Sequence, residues 1–133
     1  MSQEETAVEM RRVMHPMIDG FTDEFLEVFA GPDGAGGVPH YYKICTSGAD
    51  GKPTWVVAQI QLQEGHPKEI GVNGIGNQTL MLILHDFLRK ANVGEFACRE
   101  NSVQLTKIEE AMQWSKQREL GRRQRGVLQT YKK

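Results

Sequence analysis

Hydrophobic and polar positions follow different patterns in the two halves of the chain. In the first half, short apolar runs are interrupted by all five prolines and by ten of the fourteen glycines, which lie between residues 31 and 76. No proline follows residue 76. Proline and glycine separate strands and turns, whereas their absence permits long helices. The pattern predicts one α+β domain, with an N-terminal antiparallel β-rich half (residues 1–75). A C-terminal antiparallel two-helix hairpin and basic tail (residues 76–133) follow it.

The N-terminal half contains three candidate strands. Residues 40–46 and 55–62 are apolar runs around Asp50-Gly51, a dipeptide typical of a hairpin turn. Residues 68–72 are predicted as a third, short strand. Residues 1–30 are less defined, because the run 25–29 fits a helical stripe as well as a strand.

Residues 77–91 carry the clearest helical pattern. Apolar side chains recur on one face, which predicts a buried stripe, with Asn77 as N-cap and Asn92 or Gly94 as the stop. Met81 and Leu82 fall partly outside that stripe and suggest a partner subunit, although single exposed apolar residues are common. The members of the stripe are Leu80, Ile83, Leu84, Phe87, Leu88 and Ala91.

A second helix is predicted from Asn101 or Ser102 to about Leu120. Asn101 and Gln104 have the spacing of a capping box, and Gly121 can end the helix. Its apolar face contains Leu105, Ile108 and Met112, followed by Ser115. Because few residues join the two helices, they are expected to pack antiparallel.

Composition limits the class of protein. With 39% hydrophobic and 25% charged residues, the chain is neither wholly disordered nor collagen-like. The longest apolar run, residues 80–84, is far shorter than the ~20 residues that span a bilayer. Two cysteines cannot form a disulfide framework and suit a reducing compartment. The expectation is a soluble cytoplasmic domain that does not contact a membrane.

The net charge of −1 conceals an asymmetry. Residues 99–133 carry nine basic and four acidic side chains, a formal charge of +5, whereas the first 98 residues carry −6. Such a segment indicates an anionic partner. A solvated basic tail is the alternative, and charge alone does not separate the two.

No catalytic or metal-binding motif is visible. The four histidines lie on different segments without metal-ligand spacing, and no serine or cysteine has a nucleophile signature. The prediction is a non-catalytic binding protein without a metal or cofactor.

Three segments carry groups that could bind an anion or a nucleotide. Residues 71–77, which include Asn73, form a glycine-rich turn before a helix, although a plain turn with an N-cap explains the spacing better. In the segment 96–101, Phe96 could stack on a base, Arg99 could pair with phosphate and Asn101 could bind a base or ribose. The alternative is that Phe96 packs within the hairpin, Asn101 caps the helix and Arg99 contacts solvent. This alternative is favoured when the segment is considered alone.

The third segment is an arginine series. Arg118, Arg122 and Arg125 are spaced i, i+4 and i+7, so they share one helix face, and the guanidinium fork suits phosphate recognition. This series favours anion binding.

Asn101 and Arg118 cannot reach one small ligand within a single chain. Seventeen residues of continuous helix separate them by about 26 Å. A second copy packed antiparallel would bring the hairpin tip of one subunit beside the arginines of the other, giving two equivalent interfacial pockets.

These segments together resemble the phage Thoeris anti-defence sponges of the first type. Their helical hairpin is also similar to that of the phage anti-CBASS cyclic-nucleotide sponges. The resemblance covers residues from about 55 to 130. It is carried by the motifs Glu64-Gly65, 69–74, 97–101, 105–111, Trp114, Arg118 and 122–127.

The resemblance implies a protein that sequesters, in the host bacterial cytoplasm, a cyclic ADP-ribose isomer made by a TIR-domain enzyme. Binding without cleavage would block Thoeris effector activation, and cyclic di- or trinucleotides of CBASS could also bind. The resemblance further implies a homo-oligomer, a dimer or dimer-based hexamer, with pockets between subunits. Asn101, Arg118 and Arg122 fall at the ligand-binding positions of the family, whereas Asn73, Phe96, Arg99 and Arg125 are candidates from their chemistry alone.

One position departs from the family pattern. Ala91 stands where a phenylalanine that stacks on the ligand is expected, so Phe96 or another aromatic such as Tyr42 takes that role, or adenine affinity falls. The alternative to a sponge is a nucleic-acid-binding module that uses the basic segment, which would bind with strong salt dependence.

Overall fold

The computed structural model describes residues 9–18, 21, 25–48 and 53–126. The chain forms two compact units, Met1–Gly74 and Ile75–Lys133, which are considered in turn. The first unit contains a four-stranded antiparallel sheet, and the second contains two long helices, so the predicted α+β class is confirmed. The strands lie in chain order: β1 (Arg11–Arg12), β2 (Leu26–Ala30), β3 (Tyr41–Ser47) and β4 (Pro53–Gln61).

Strand pairing shows whether the run 25–29 forms a helix or a strand. It belongs to β2, in which Val28 lies opposite Ile44 of β3, so the strand reading is correct. The two predicted strands 40–46 and 55–62 correspond to β3 and β4, with a register shift after Ile44. The predicted turn at Asp50-Gly51 lies outside the described residues.

The core of the sheet is small. Ala30 and Cys45 are buried, and the buried Glu27 carboxylate lies 3.8 Å from the Arg12 guanidinium. Residues Trp55 to Gln59 of the last strand are exposed.

The prediction of a third strand at residues 68–72 is wrong. One helical turn, α1 (Pro67–Ile70), occupies this segment. Pro67 stands at the start of the helix, where the fixed φ of proline favours helix and its missing N–H costs nothing. Gly71 ends the turn with a φ of 83° and donates its N–H to the Pro67 carbonyl.

The second unit begins with the predicted helix, α2 (Asn77–Ala91). Its N-cap is Gly76 rather than Asn77, and Asn92 is the C-cap, as predicted. Among the described helices, none combines the length and the apolarity that a bilayer crossing requires.

The other helix, α3 (Arg99–Gln124), is longer at both ends than predicted. Cys98 is the N-cap, and its Sγ accepts the Asn101 N–H, so the capping box at Asn101 does not form. The helix continues through Gly121 because a glycine costs a helix only about 1 kcal/mol relative to alanine. It ends at Arg125, before Gly126 with a φ of 72°.

A seam of polar contacts joins α2 to α3. Gln78 Nε2 donates to Ser115 Oγ (2.9 Å), His85 Nε2 lies 3.5 Å from the Glu109 carboxylate, and Asn92 Nδ2 donates to Ser102 Oγ (3.1 Å). Partners descend along α3 as the residue number rises along α2, so the helices are antiparallel, as predicted.

The predicted burial of the α2 stripe is only partly correct. Leu88 is buried and Leu80 and Ala91 are half-buried, but Ile83, Leu84 and Phe87 are exposed, Phe87 by 67%. At 100° per residue, the face that contacts α3 lies about one third of a turn from the centre of the stripe. That contacting face contains Gln78, Met81, His85, Leu88 and Asn92.

The N-cap of α3 provides the first test. A thiol is a weak acceptor, whereas serine is among the best N-caps, so Cys98→Ser should raise the free energy of unfolding by about 0.5–1 kcal/mol. Urea denaturation measures it. Cys98→Ala is the control, because it removes the acceptor, and equal stability of the two variants would contradict this assignment.

Close packing at Gly74 provides the second test. A Cβ added there would lie 2.5 Å from the Gln61 carbonyl oxygen and 2.7 Å from the Gln63 nitrogen, both backbone atoms. Gly74→Ala should therefore lower the free energy of unfolding by about 1–3 kcal/mol. At Gly31, in the same unit, an added Cβ makes only ordinary contacts, the nearest with Tyr41 at 3.5 Å, so Gly31→Ala is the matched control. Equal losses in the two variants would refute the steric argument.

Candidate functional site

The connection between the helices carries three of the predicted ligand-binding residues. Phe96 ends a turn of 3-10 helix with its ring exposed, and Arg99 is exposed at the start of α3. Asn101 is half-buried, and its Nδ2 donates to the Phe96 carbonyl at 3.5 Å. The structure therefore places Phe96, Arg99 and Asn101 together at the hairpin tip.

The last two turns of α3 carry the arginine series. Arg118 and Arg125 are exposed, whereas Arg122 is only 8% exposed and engages other groups of the chain. The neighbouring Arg123 donates to Glu119 Oε1 at 3.0 Å. The three predicted arginines thus lie close together in sequence and space but differ in accessibility.

The hairpin tip and the arginine series are far apart within one chain. Asn101 and Arg118 both lie in the uninterrupted α3 helix, which separates them by about 26 Å along its axis. A small ligand bound at one of these two groups therefore cannot contact the other group of the same chain. Only a second chain could bring its own copy of the other group to that ligand.

Asn73 belongs to a loop of the first unit. Its Oδ1 accepts the Glu64 N–H (2.9 Å), its Nδ2 donates to the Glu64 carbonyl (2.7 Å), and its own N–H donates to Gln63 Oε1. The amide therefore makes backbone-like hydrogen bonds that build the loop. Its predicted role in ligand binding stays a prediction.

The sequence did not indicate a cluster around His40. Its Nε2 lies 2.7 Å from the Ala35 carbonyl oxygen, and its Nδ1 lies 3.1 Å from that of Gln63. Glu64 accepts the Ala35 N–H at 2.9 Å, and its carboxylate lies 3.8 Å from His40. The cluster joins the segment 35–40 to residues 63 and 64, which lie 23 to 29 positions away from their partners, and no local spacing pattern could have shown this.

A groove of about 310 Å³ lies between α2 and α3. A hydrogen bond from Gln78 and the nearby Lys116 ammonium hold the pKa of the Glu119 carboxyl below its usual range. Of the lining residues, Lys116 carries a positive charge and pairs with Glu119 at 3.6 Å, so the charges that line the groove balance and do not favour an anion there. Its lining residues are Gln78, Met81, Leu82, Met112, Lys116 and Glu119.

Trp114 is a candidate that the predicted site did not include. Its ring is 74% exposed and it lies four residues before Arg118, hence on the same side of α3. The i, i+4 spacing was readable from the sequence, but the exposure of the ring was not. Within the described residues, no three histidine, cysteine or acidic side chains are grouped so as to hold a metal ion.

Comparison with known proteins finds relatives of the region that contains the hairpin. Residues 56–118 match the family model of the Acb2/Tad1 hairpin domain. The protein named Thoeris anti-defense 1, from Bacillus phage SBSphiJ7, is 39% identical over 77 residues, which are 58% of this chain and 54% of that protein. The matched region therefore spans about half the length of this relative. The resemblance drawn from the motifs is confirmed.

Proposed function

We propose that this chain, whose residues 56–118 match the family model of the Acb2/Tad1 hairpin domain, is a phage anti-defence protein that sequesters a cyclic nucleotide immune signal. The ligand is a cyclic ADP-ribose isomer made by a TIR-domain enzyme, and its removal leaves the Thoeris effector inactive. Cyclic di- or trinucleotides of CBASS are further candidate ligands. The protein acts in the cytoplasm of the host bacterium.

The accessibility of Arg118 carries this proposal. Arg118 falls within the matched residues, is exposed on α3, and forms no ion pair with any described residue. An exposed guanidinium that forms no such ion pair can bind phosphate without first breaking a salt bridge. Cyclic ADP-ribose has two phosphates, so several arginines would be needed to neutralise its charge.

Sequestration needs no reaction at the ligand. Charge pairing by arginine, hydrogen bonding by Asn101 and stacking by an aromatic ring are all reversible interactions. A stoichiometric complex that holds the ligand intact is sufficient to keep it from an effector.

The pocket is proposed to require two chains. The 26 Å between Asn101 and Arg118 exceeds the reach of one small ligand, and an antiparallel second copy places the tip of one chain at the arginines of the other. The uncovered part of the α2 stripe, residues Ile83, Leu84 and Phe87, supplies an apolar face for such an assembly. A dimer or a dimer-based hexamer satisfies this arrangement.

Capture and release test the function. Purified protein mixed with cyclic ADP-ribose isomers should deplete the ligand, and heating should return it intact in stoichiometric amount, as measured by mass spectrometry. A cleaved product would make the protein an enzyme instead. Binding that rises with oligonucleotide length and falls steeply with salt would favour the nucleic-acid-binding module.

Arg118 is the residue to change first. Arg118→Ala should weaken capture at least about tenfold, because hydrogen bonds to charged groups contribute about 1.5–3 kcal/mol. Binding is measured by calorimetry. Arg89→Ala is the matched control, since Arg89 is also an exposed helical arginine and pairs only with Asp86 within the described part of the chain. Equal binding by both variants would remove Arg118 from the site.

The apolar stripe tests the assembly. Phe87→Glu places a charge on the proposed interface, so the mass in solution should fall to that of one chain and capture should be lost. Val38→Glu, at an exposed position of the first unit, should change neither. Light scattering provides the mass, and an unchanged oligomer in the Phe87 variant would contradict the interface.

A further inference from the structure

One outward strip of α3 combines an aromatic ring, two arginines and a glycine. Trp114, Arg118, Gly121 and Arg125 follow one another at intervals of four, three and four residues, ending at the C-cap. At 100° per residue they fall within about 60° of the helix circumference. The half-buried face of Leu105, Ile108, Met112 and Ser115 is centred more than 100° away. The strip is therefore directed away from α2.

Trp114 leaves a large apolar surface in water. Burial of an aromatic side chain is a strong favourable term, yet 74% of Trp114 is exposed. In the described part of the chain, the one ring pair is His15 with Phe21, so the indole has no aromatic partner there. Arg118 lies one helical turn away, about 6 Å along the axis.

The positive charges of the strip are not compensated by described carboxylates. Lys107 lies 3.8 Å from Glu110, and Glu119 pairs with both Lys116 and Arg123. No such pair involves Arg118 or Arg125 among the residues that the structure describes. These two full charges outweigh the partial negative charge at the helix C-terminus, so the strip attracts an anion.

Gly121 lies between the two arginines. A glycine inside a helix lowers stability by about 1 kcal/mol relative to alanine, and Gly121 does not have the positive φ that would require glycine. A Cβ there would meet only Arg125 Nη1, at 3.4 Å. Because Gly121 has no side chain, the helix surface beside the Arg125 guanidinium is bare, so a ligand can approach the backbone there.

We propose that this strip is the binding surface for one adenine nucleotide unit of the ligand. The Trp114 indole stacks on the base, and the Arg118 and Arg125 guanidiniums bind the phosphates, with Gly121 allowing their close approach. Trp114 then supplies the aromatic ring that Ala91 does not. This assignment rests on the proposed function and adds the orientation of the ligand, with its base toward the start of α3 and its phosphates toward the end.

Fluorescence of a single tryptophan tests the stacking. The chain contains only Trp55 and Trp114, so Trp55→Phe leaves Trp114 as the reporter. Titration with cyclic ADP-ribose should give a saturable loss of emission, whereas inorganic pyrophosphate, which has no base, should not quench at saturation. Binding of cyclic ADP-ribose without any change in emission overturns the stacking role.

Variants separate stacking from assembly. Trp114→Ala should weaken cyclic ADP-ribose binding by about tenfold, and Trp114→Phe should retain it within about threefold, because stacking needs only an aromatic face. The mass in solution should not change. Loss of the oligomer in Trp114→Ala would make the indole an assembly contact and overturn the proposal.

Gly121→Ala distinguishes a binding role from a structural one. The substitution improves helix propensity, so the melting temperature should stay the same or rise, while binding of cyclic ADP-ribose should weaken by about tenfold. Unchanged binding would remove Gly121 from the surface. If the unmodified protein binds no cyclic nucleotide, the proposed function itself fails, whereas full capture by the Trp114 and Gly121 variants refutes only this inference.

Discussion

The polar seam between α2 and α3 determines which surfaces of the hairpin remain accessible. Gln78, His85 and Asn92 each reach a polar partner on α3, so this face of α2 turns inward. A helix of fifteen residues cannot also bury a stripe a third of a turn away against the same neighbour. The apolar stripe is consequently left uncovered at Ile83, Leu84 and Phe87.

The same seam orients α3. With Leu105, Ile108 and Met112 directed toward α2, the line through Trp114 and Arg118 is directed to the opposite side. Arg122 lies between these two faces and is buried, so the arginine series does not act as one uniform patch. An exposed arginine is available to a ligand, whereas a buried arginine already engaged by the protein must exchange partners to reach one.

Several sequence predictions were correct because they depended on local patterns. The helix from residue 77 to 91 is dictated by a strong apolar periodicity without proline, and β3 and β4 by alternating apolar runs. Errors arose at single residues whose type is compatible with two different local structures. Pro67 started a helical turn instead of preceding a strand, and Gly121 continued a helix that it could have ended. A cysteine at the N-cap was missed because sulfur is a weak acceptor that helix-capping patterns do not include.

The sequence alone determined the two long helices, the strands β3 and β4, the basic character of the C-terminal segment and the family resemblance. These features follow from residue type and spacing, which act over a few residues. Tertiary structure decided which face of each helix is covered, that Asn73 builds a loop, and that Trp114 is exposed beside Arg118. Such outcomes depend on contacts between residues distant in sequence, as between Gln78 and Ser115. No local pattern encodes those contacts, because they form only when the two helices pack together and one face of each is buried against the other.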